Sequence, residues 1–287
     1  MATGMVIVHY NDIESLTNLI NNVKDYRVLD KIIIVDNNSK SEIKVQLKKL
    51  TNTKIELIEN KENKGFSYAI NVGCKRLIEL FKECNIIISN SDIIINKEED
   101  LKELTSYLKN DIGVVAPVVK ENNTLNRGWK NPSPIIDALM NIVYIHRRIR
   151  KKYVFYNEDH YKEKTSCVDV VSGCFFLINS KTLENINYLD ENVFLYYEEN
   201  ILAKKIKSIN KKEIVCNDVI IIHNHSVSID KNMKKIKKLK MQKQSQYYFQ
   251  KVYNKANIFE RILLKLTAFL SRIILRIIYF FKDLLKK

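Results

Sequence analysis

The chain has 287 residues, 46% of them hydrophobic and 28% charged, with a formal net charge of +15. This balance excludes a disordered or fibrous chain and leaves room for one large core or two modest ones. The five cysteines, Cys74, Cys84, Cys167, Cys174 and Cys216, are odd in number, far apart and without a C-x-x-C pair, which argues against a disulfide framework or a zinc site and for a reducing cytoplasm.

The N-terminus runs directly into strand-like sequence without the basic flank and apolar stretch of a signal peptide, so the chain is expected to stay in the cytoplasm. Its positive charge gathers at His146–Lys152, again from Lys231 to Lys255, and along the C-terminal segment. Nucleic acid, anionic lipid and a phosphorylated substrate would all suit such patches, and charge alone does not choose among them.

In chain order, Met5–Tyr10 reads as a first strand ending at Asn11-Asp12, and Ile13, Leu16, Leu19, Ile20 and Val23 then follow helical spacing. Lys31–Val35 is a second buried strand, ending in Asp36-Asn37-Asn38-Ser39. Strand, helix and strand predict a parallel sheet with a right-handed crossover, so Asn11 and Asp36 should share one edge and face a common crevice. No G-x-G-x-x-G follows the first strand, which argues against a dinucleotide cofactor.

A short strand at Ile55–Ile58 leads through Asn63-Lys64-Gly65 into a helix from about Phe66 to Cys84. Gly65 permits an unusual backbone angle, and the helix start offers N–H groups to an anion, although a plain turn explains the same residues. The apolar run Ile86-Ile87-Ile88 then stops at Ser89-Asn90-Ser91-Asp92, where an open α/β sheet binds its ligands. Read in isolation, Asn90 and Asp92 serve equally well as a turn or a helix cap. Further strands are predicted at Ile112–Pro117 and Val168–Ile178, the latter with Gly173 inside it, and a helix with a basic end over 135–152.

Taken together, the pieces V-I-V-H-Y-N, I-I-V-D-N-N-S, N-K-G-F-S-Y-A-I-N-V-G, I-I-I-S-N-S-D, V-S-G-C-F-F-L-I and L-D-E-N-V-F-L-Y-Y-E-E-N resemble family-two inverting glycosyltransferases with the GT-A fold. The rhamnosyltransferase-like branch acting on bacterial surface polysaccharides is the nearest in pattern. The resemblance covers roughly the first 228 residues. It implies an α/β catalytic domain over 1–228 with a mostly parallel central sheet and flanking helices, a nucleotide-binding half to about 120, an acceptor half beyond it, and a helical tail over 229–287.

It also assigns residues. Tyr10, Asn11, Asp36, Asn63, Gly65, Asn71, Asn90 and Ser91 match positions around the sugar nucleotide. Asn90-Ser91-Asp92 corresponds to a D-x-D motif that has lost its first carboxylate, leaving Asp92 to hold Mg²⁺ or Mn²⁺ against the diphosphate, which needs only one or two carboxylates. His223 or His225 supplies a further contact, the spacing to Ser228 favouring His223. Glu199, second of the pair Glu198-Glu199, corresponds to the general base, with Glu198 in support, although acids also favour a helix start through its dipole. Trp129, Gly173, Asp190 and Glu191 fall on the side expected to meet the acceptor, a lipid-linked glycan. Trp129 would stack on a sugar ring or simply pack.

From Ile258 onward, Arg261, Lys265, Arg272, Arg276 and Asp283 form a narrow polar stripe on an apolar helix. Charges at Arg272 and Arg276 argue against a spanning helix, and an interfacial helix on anionic lipid at the inner face of the membrane is expected, with packing on a partner helix or a homo-oligomer contact as the alternative. Two other readings stand beside the transferase: an inactive partner subunit, and a nucleic-acid-binding protein. No stacking platform or recognition helix supports the second, so no nucleic-acid partner is expected.

Overall fold

The computed structural model describes residues 1–224 and 235–284. The element order opens with β1 (Ala2–His9), α1 (Ile13–Val23), β2 (Lys31–Asp36), α2 (Ser41–Lys48), β3 (Ile55–Glu59), α3 (Phe66–Phe81), β4 (Cys84–Asn90), β5 (Ile93–Ile94) and α4 (Glu98–Ser106). It continues with β6 (Ile112–Glu121), β7 (Thr124–Asn126), α5 (Pro134–Met140), α6 (His146–Tyr153), β8 (Thr165–Val168), β9 (Phe175–Asn179), α7 (Ser180–Asn185), α8 (Glu198–Ser208) and β10 (Lys212–His223). Two helices close it, α9 (Lys235–Val252) and α10 (Ile258–Leu284).

One sheet carries the order β3-β2-β1-β4-β9-β6-β10-β5, with β7 on β6 and β8 on β10. It is parallel across β3-β2-β1-β4. Beyond β4 it is mixed: β9 lies antiparallel between β4 and β6, and β10 pairs parallel with β6. The parallel character expected of the sheet is therefore concentrated in β1–β4, with β6 and β10 as a second parallel pair.

The buried strands alternate their side chains between two cores. Met5, Ile7, Ile32 and Ile34 face the helices α1, α2 and α4, while Val6, Ile33, Val35, Ile86 and Ile88 face α3 and α8. Each fully buried aliphatic side chain contributes on the order of 1.5–3 kcal/mol. This double burial leaves the strand ends as the places where polar groups collect.

Two sequence expectations are corrected. The single strand expected over Val168–Ile178 is two strands, because over 169–174 the backbone leaves the ladder, Val170 bridging Trp129 and the Val171 amide going to the Glu213 carboxylate, before β9 begins. The helix expected over 135–152 breaks into α5 and α6 at Asn141, whose side-chain amide donates to Thr267 Oγ1 at 3.0 Å instead of staying on the helix surface. Ser133 caps α5, with Pro134 in its first turn.

The boundary expected at 228 follows the extent of the resemblance; across it, α9 packs on the preceding part of the chain through Phe249, which clusters with Val193 and Ile201. α10 lies on α5 and α9, burying Leu264, Thr267 and Ser271.

Candidate active site

The ends of β1 and β2 meet as the βαβ argument requires, with His9 level with Asp36 in the register. Asn11 takes a left-handed backbone (φ 55), donates its amide to Ser39 Oγ at 2.8 Å and accepts the Lys40 amide on Oδ1 at 2.8 Å. Asp36, fully buried, accepts the Ser39 amide at 3.0 Å. Asn37, which the sequence reading passed over, donates to Asn63 Oδ1 at 2.9 Å and to the Gly65 carbonyl at 3.0 Å. Asn11, Asp36 and Asn63 thus fix the loops that frame the crevice by bonding to the protein itself. Tyr10 stands exposed at its rim. His9 is wholly buried with both ring nitrogens unpartnered among the described residues, and burial pulls its pKa down to about 4, so the ring is neutral near pH 7.

Gly65 has φ 102 and sits so close to the Phe194 backbone that a Cβ would lie 2.5 Å from the carbonyl oxygen, which is why only glycine fits. That carbonyl also takes the Phe66 amide at 3.0 Å, so the first N–H of α3 goes to the catalytic loop and not to an anion. Asn71 donates to the Leu189 carbonyl at 2.9 Å and to Glu191 Oε1 at 2.8 Å. It ties α3 to the 189–191 loop.

The Asn90-Ser91-Asp92 turn lies beside the end of the last strand. β5 pairs with β10 so that His223 opposes Ile93, and the Asn224 amide donates to the Asp92 carbonyl at 2.9 Å. This places His223 Nε2 3.2 Å from Asp92 Oδ1, while His223 Nδ1 lies 3.0 Å from Glu121 Oε1. Ligand atoms of Glu121, Cys174 and His223 fall within 4.8 Å of one another. Burial opposes a charge on His223, but hydrogen bonds to Asp92, Cys174 and Glu121 together outweigh it and hold its pKa up at about 12. His225 lies outside the described residues.

Across the cleft, Glu198 and Glu199 start α8, half-buried by surface and enclosed by protein. Burial and the neighbouring Glu199 push the Glu198 carboxyl well up, burial raises Glu199, and Glu198 Oε2 has no partner among the described residues. Gly173 lies directly against Glu199, where a Cβ would meet Glu199 Cγ at 2.7 Å. Its neighbour Cys174 belongs to the Glu121–His223 cluster, and the Cys174 carbonyl accepts the Asn90 amide at 2.8 Å. The segment 172–174 thus joins the acid pair to the Asp92–His223 pair.

The other acceptor-side residues serve as ties. Trp129 exchanges backbone hydrogen bonds with Val170 at 2.9 and 3.0 Å, bracing the 169–174 segment. Asp190 accepts the Tyr248 and Tyr253 hydroxyls at 2.8 and 2.6 Å and so anchors α9. Burial opposes the charge on Asp190, but these hydrogen bonds prevail and lower its pKa. Three groups escaped the sequence reading: Glu121, Asp137 and the Asn131–Asn200 pair, whose side chains bond at 2.9 Å next to Glu199. Only Asn200, adjacent to the acid pair, carried a local signal.

A parallel half-sheet joined through an antiparallel strand to a second half, with acids at the seam, is the architecture of the GT-A glycosyltransferases, and solved members share it. The chain resembles GalNAc-T7 crystallised with UDP, GalNAc and Mn²⁺ (TM-score 0.57, 14% identity, 78% of this chain and 44% of that one). It also resembles the mannosyltransferase PcManGT from Pyrobaculum calidifontis with GDP-Man and Mn²⁺ (TM-score 0.58, 14% identity, 94% and 73%). A third is residues 1–349 of S. aureus TarS with UDP-GlcNAc (TM-score 0.58, 15% identity, 92% and 70%). The chain spans less than half the length of the first of these.

Residues 5–186 match the model of glycosyl transferase family 2, and the chain belongs to that family. It is 26% identical over 227 residues, 78% of this chain and 67% of the other, to the low-salt glycan biosynthesis hexosyltransferase Agl10 of Haloferax volcanii.

Proposed function

We propose that the protein transfers one sugar from a nucleoside-diphosphate donor to a hydroxyl of a lipid-linked glycan, with inversion, in capsular, O-antigen or cell-wall polysaccharide synthesis. One observation carries this reading: of two neighbouring residues, Gly173 lies against Glu199 and Cys174 against Glu121 and His223, so a single segment links the proposed base to the proposed metal-binding cluster. The hexosyltransferase relative favours a UDP-hexose over dTDP-rhamnose and lends no support to the rhamnosyltransferase-like branch.

In this reading Glu199, its pKa raised by burial, accepts the proton of the acceptor hydroxyl as that oxygen attacks the anomeric carbon. The diphosphate departs from the opposite face, so no covalent sugar–enzyme link forms. Glu198, raised further, keeps its proton and orients the acceptor. Asp92, with His223 Nε2 once it has given up the proton that now bonds to Asp92, would form a donor set that fits Mn²⁺, and the carboxylate alone would suit Mg²⁺. That ion, when bound, supplies positive charge to the leaving diphosphate. Asn11, Asp36 and Asn63 keep the donor crevice preformed.

Outside the cleft, α10 exposes Phe259, Ile262, Leu266, Phe269, Leu270 and Ile277. No helix among the described residues is long and apolar enough to cross a membrane. An apolar face with Arg261, Lys265, Arg272 and Arg276 on the same helix suits the surface of an anionic bilayer. Leu266→Glu with Phe269→Glu should abolish sedimentation with phosphatidylglycerol vesicles, and undiminished sedimentation would remove the lipid reading.

The central test is turnover of UDP-glucose, UDP-GlcNAc, GDP-mannose and dTDP-rhamnose with Mn²⁺ or Mg²⁺, read as nucleoside diphosphate release. Glu199→Gln should lower transfer by about 10²–10⁴-fold. Full activity in that variant would reject Glu199 as the base, and the absence of any turnover by the unaltered chain would favour an inactive partner subunit.

A further inference from the structure

The loop that delivers the acid pair is held by a part of the chain beyond the family-matched residues. Tyr196 and Tyr197 both take left-handed backbones, φ 72 and φ 68, immediately before Glu198. Two consecutive non-glycine residues in that region are strained and persist only where the surroundings over-determine them. The surroundings here are specific. The Tyr197 hydroxyl donates to Asp137 Oδ1 at 2.7 Å, and its ring lies 5.6 Å from that of Phe249 on α9.

Asp137 is completely buried. Its Oδ1 also accepts from Gln246 Nε2 at 2.8 Å and its Oδ2 from Gln250 Nε2 at 2.6 Å, both on α9. Lys243, one turn earlier on that helix, adds a favourable charge, and it donates to Asn141 at the end of α5. A second strap joins the same two elements: Ser245 Oγ donates to the Leu195 carbonyl at 2.8 Å. Burying a carboxyl without an arginine is expensive, and this one is fully engaged with donors from two separate segments.

We propose that Asp137 is a positioning residue for the transfer step: through Tyr197 it fixes the start of α8, and with it Glu198 and Glu199, so that α9 completes the catalytic centre. This rests on the reading of Glu199 as the base. Because Tyr197 is both the residue before the acid pair and the partner of Asp137, loss of one hydroxyl should loosen the acids far more than the donor crevice, which is built from β1, β2 and α3 and meets this loop at Phe194, three residues earlier. Asp137→Asn keeps an oxygen for Tyr197 while losing the bond from Gln250, so it should free the Tyr197 hydroxyl less than Tyr197→Phe does.

The test uses the full chain. Hydrogen exchange without ligands should show the amides of 195–199 exchanging about 10-fold faster in Tyr197→Phe, and less so in Asp137→Asn. With the best donor of the four-member set, kcat should fall about 10- to 100-fold in Tyr197→Phe while the donor KM changes by less than about twofold. Unchanged exchange, or faster exchange with unaltered kcat, would overturn the proposal, as would a loss confined to donor KM. Glu199→Gln is measured alongside: turnover surviving there would overturn the base reading, whereas an inactive Glu199→Gln beside an unimpaired Tyr197→Phe would overturn only the role of Asp137.

Discussion

At the ends of β1 and β2 and the start of α3, the half proposed to take the nucleotide, Asn11, Asp36, Asn37 and Asn63 bind backbone amides, a carbonyl and one another. On α8 and β10, in the half proposed to take the acceptor, Glu198, Glu199 and Glu213 are enclosed by protein, form no ion pair among the described residues, and have pKa values raised by burial. The first arrangement makes a rigid frame whose polar groups are already satisfied. The second keeps acids in an uncomfortable state, which is what a carboxylate needs if it is to take a proton near neutral pH. The Asp92–His223 pair lies between the two, joining the turn after β4 to the end of β10.

The largest expected effect breaks this junction. Asp92→Ala, or chelation of divalent metal with EDTA in the unaltered chain, should lower transfer by about 10²–10³-fold, comparable to losing one transition-state charge stabiliser. If Asp92 acts through the ion, Asp92→Ala should also abolish the response of the residual rate to added Mn²⁺. A residual rate that still rises with Mn²⁺ would place the ion elsewhere.

The contrast between halves also fixes the shape of the pH profile. Glu199 must be ionised to accept a proton, and burial holds it above the ordinary carboxylate value of 4.5. The acid limb of kcat/KM should therefore break at a pH higher than 4.5 and be absent from the residual activity of Glu199→Gln. A limb that persists in Glu199→Gln would belong to another group.

Gly173→Ala sharpens the same point without changing any charge. The added methyl meets Glu199 Cγ, which lies 2.7 Å from where it would sit, so it must displace the base while leaving the nucleotide frame alone. A fall in kcat of about 10-fold or more with little change in donor KM is expected. A change confined to the donor KM would show that Gly173 faces the donor instead.

What the sequence revealed follows the same division. β1, α1, β2 and β4 were legible because each strand is buried on both faces and each polar end falls on a fixed side of a parallel sheet. Asp92 and Glu199 became candidates only through the order of the motifs, since a turn or a helix dipole explains either one locally. Asp137 was not legible: its partners Gln246 and Gln250 lie 109 and 113 residues away, and an acid in the first turn of a short helix looks like an ordinary charge. Glu121 was hidden for the same reason, at the end of β6 and 102 residues from His223. The 169–174 excursion was read as strand because Val170 and Val171 continue the apolar pattern while their backbones answer to Trp129 and to Glu213.

Glu213 offers the smallest effect and the clearest reading of strain. It lies on β10, 3% exposed, accepts the Val171 amide on Oε2 at 3.0 Å, and leaves Oε1 without a partner among the described residues. Burial raises its pKa well above the usual carboxylate range, with Asp169 and Glu199 adding to the rise. A carboxyl whose pKa is higher folded than unfolded binds more protons in the native state, so its contribution to stability falls as pH climbs from the unfolded value towards the folded one. Glu213→Gln keeps an oxygen for Val171 and removes the charge. Its melting temperature should exceed that of the unaltered protein by about 2–4 °C at pH 8, the shift expected per kcal/mol in a chain of this size, and the gain should vanish near pH 4. A gain independent of pH would mean that the amide packs better there. A loss at pH 8 would mean that the Glu213 carboxylate holds the 169–174 segment against Glu199 more firmly than a neutral oxygen can, shifting the strain in the acceptor half from cost to use.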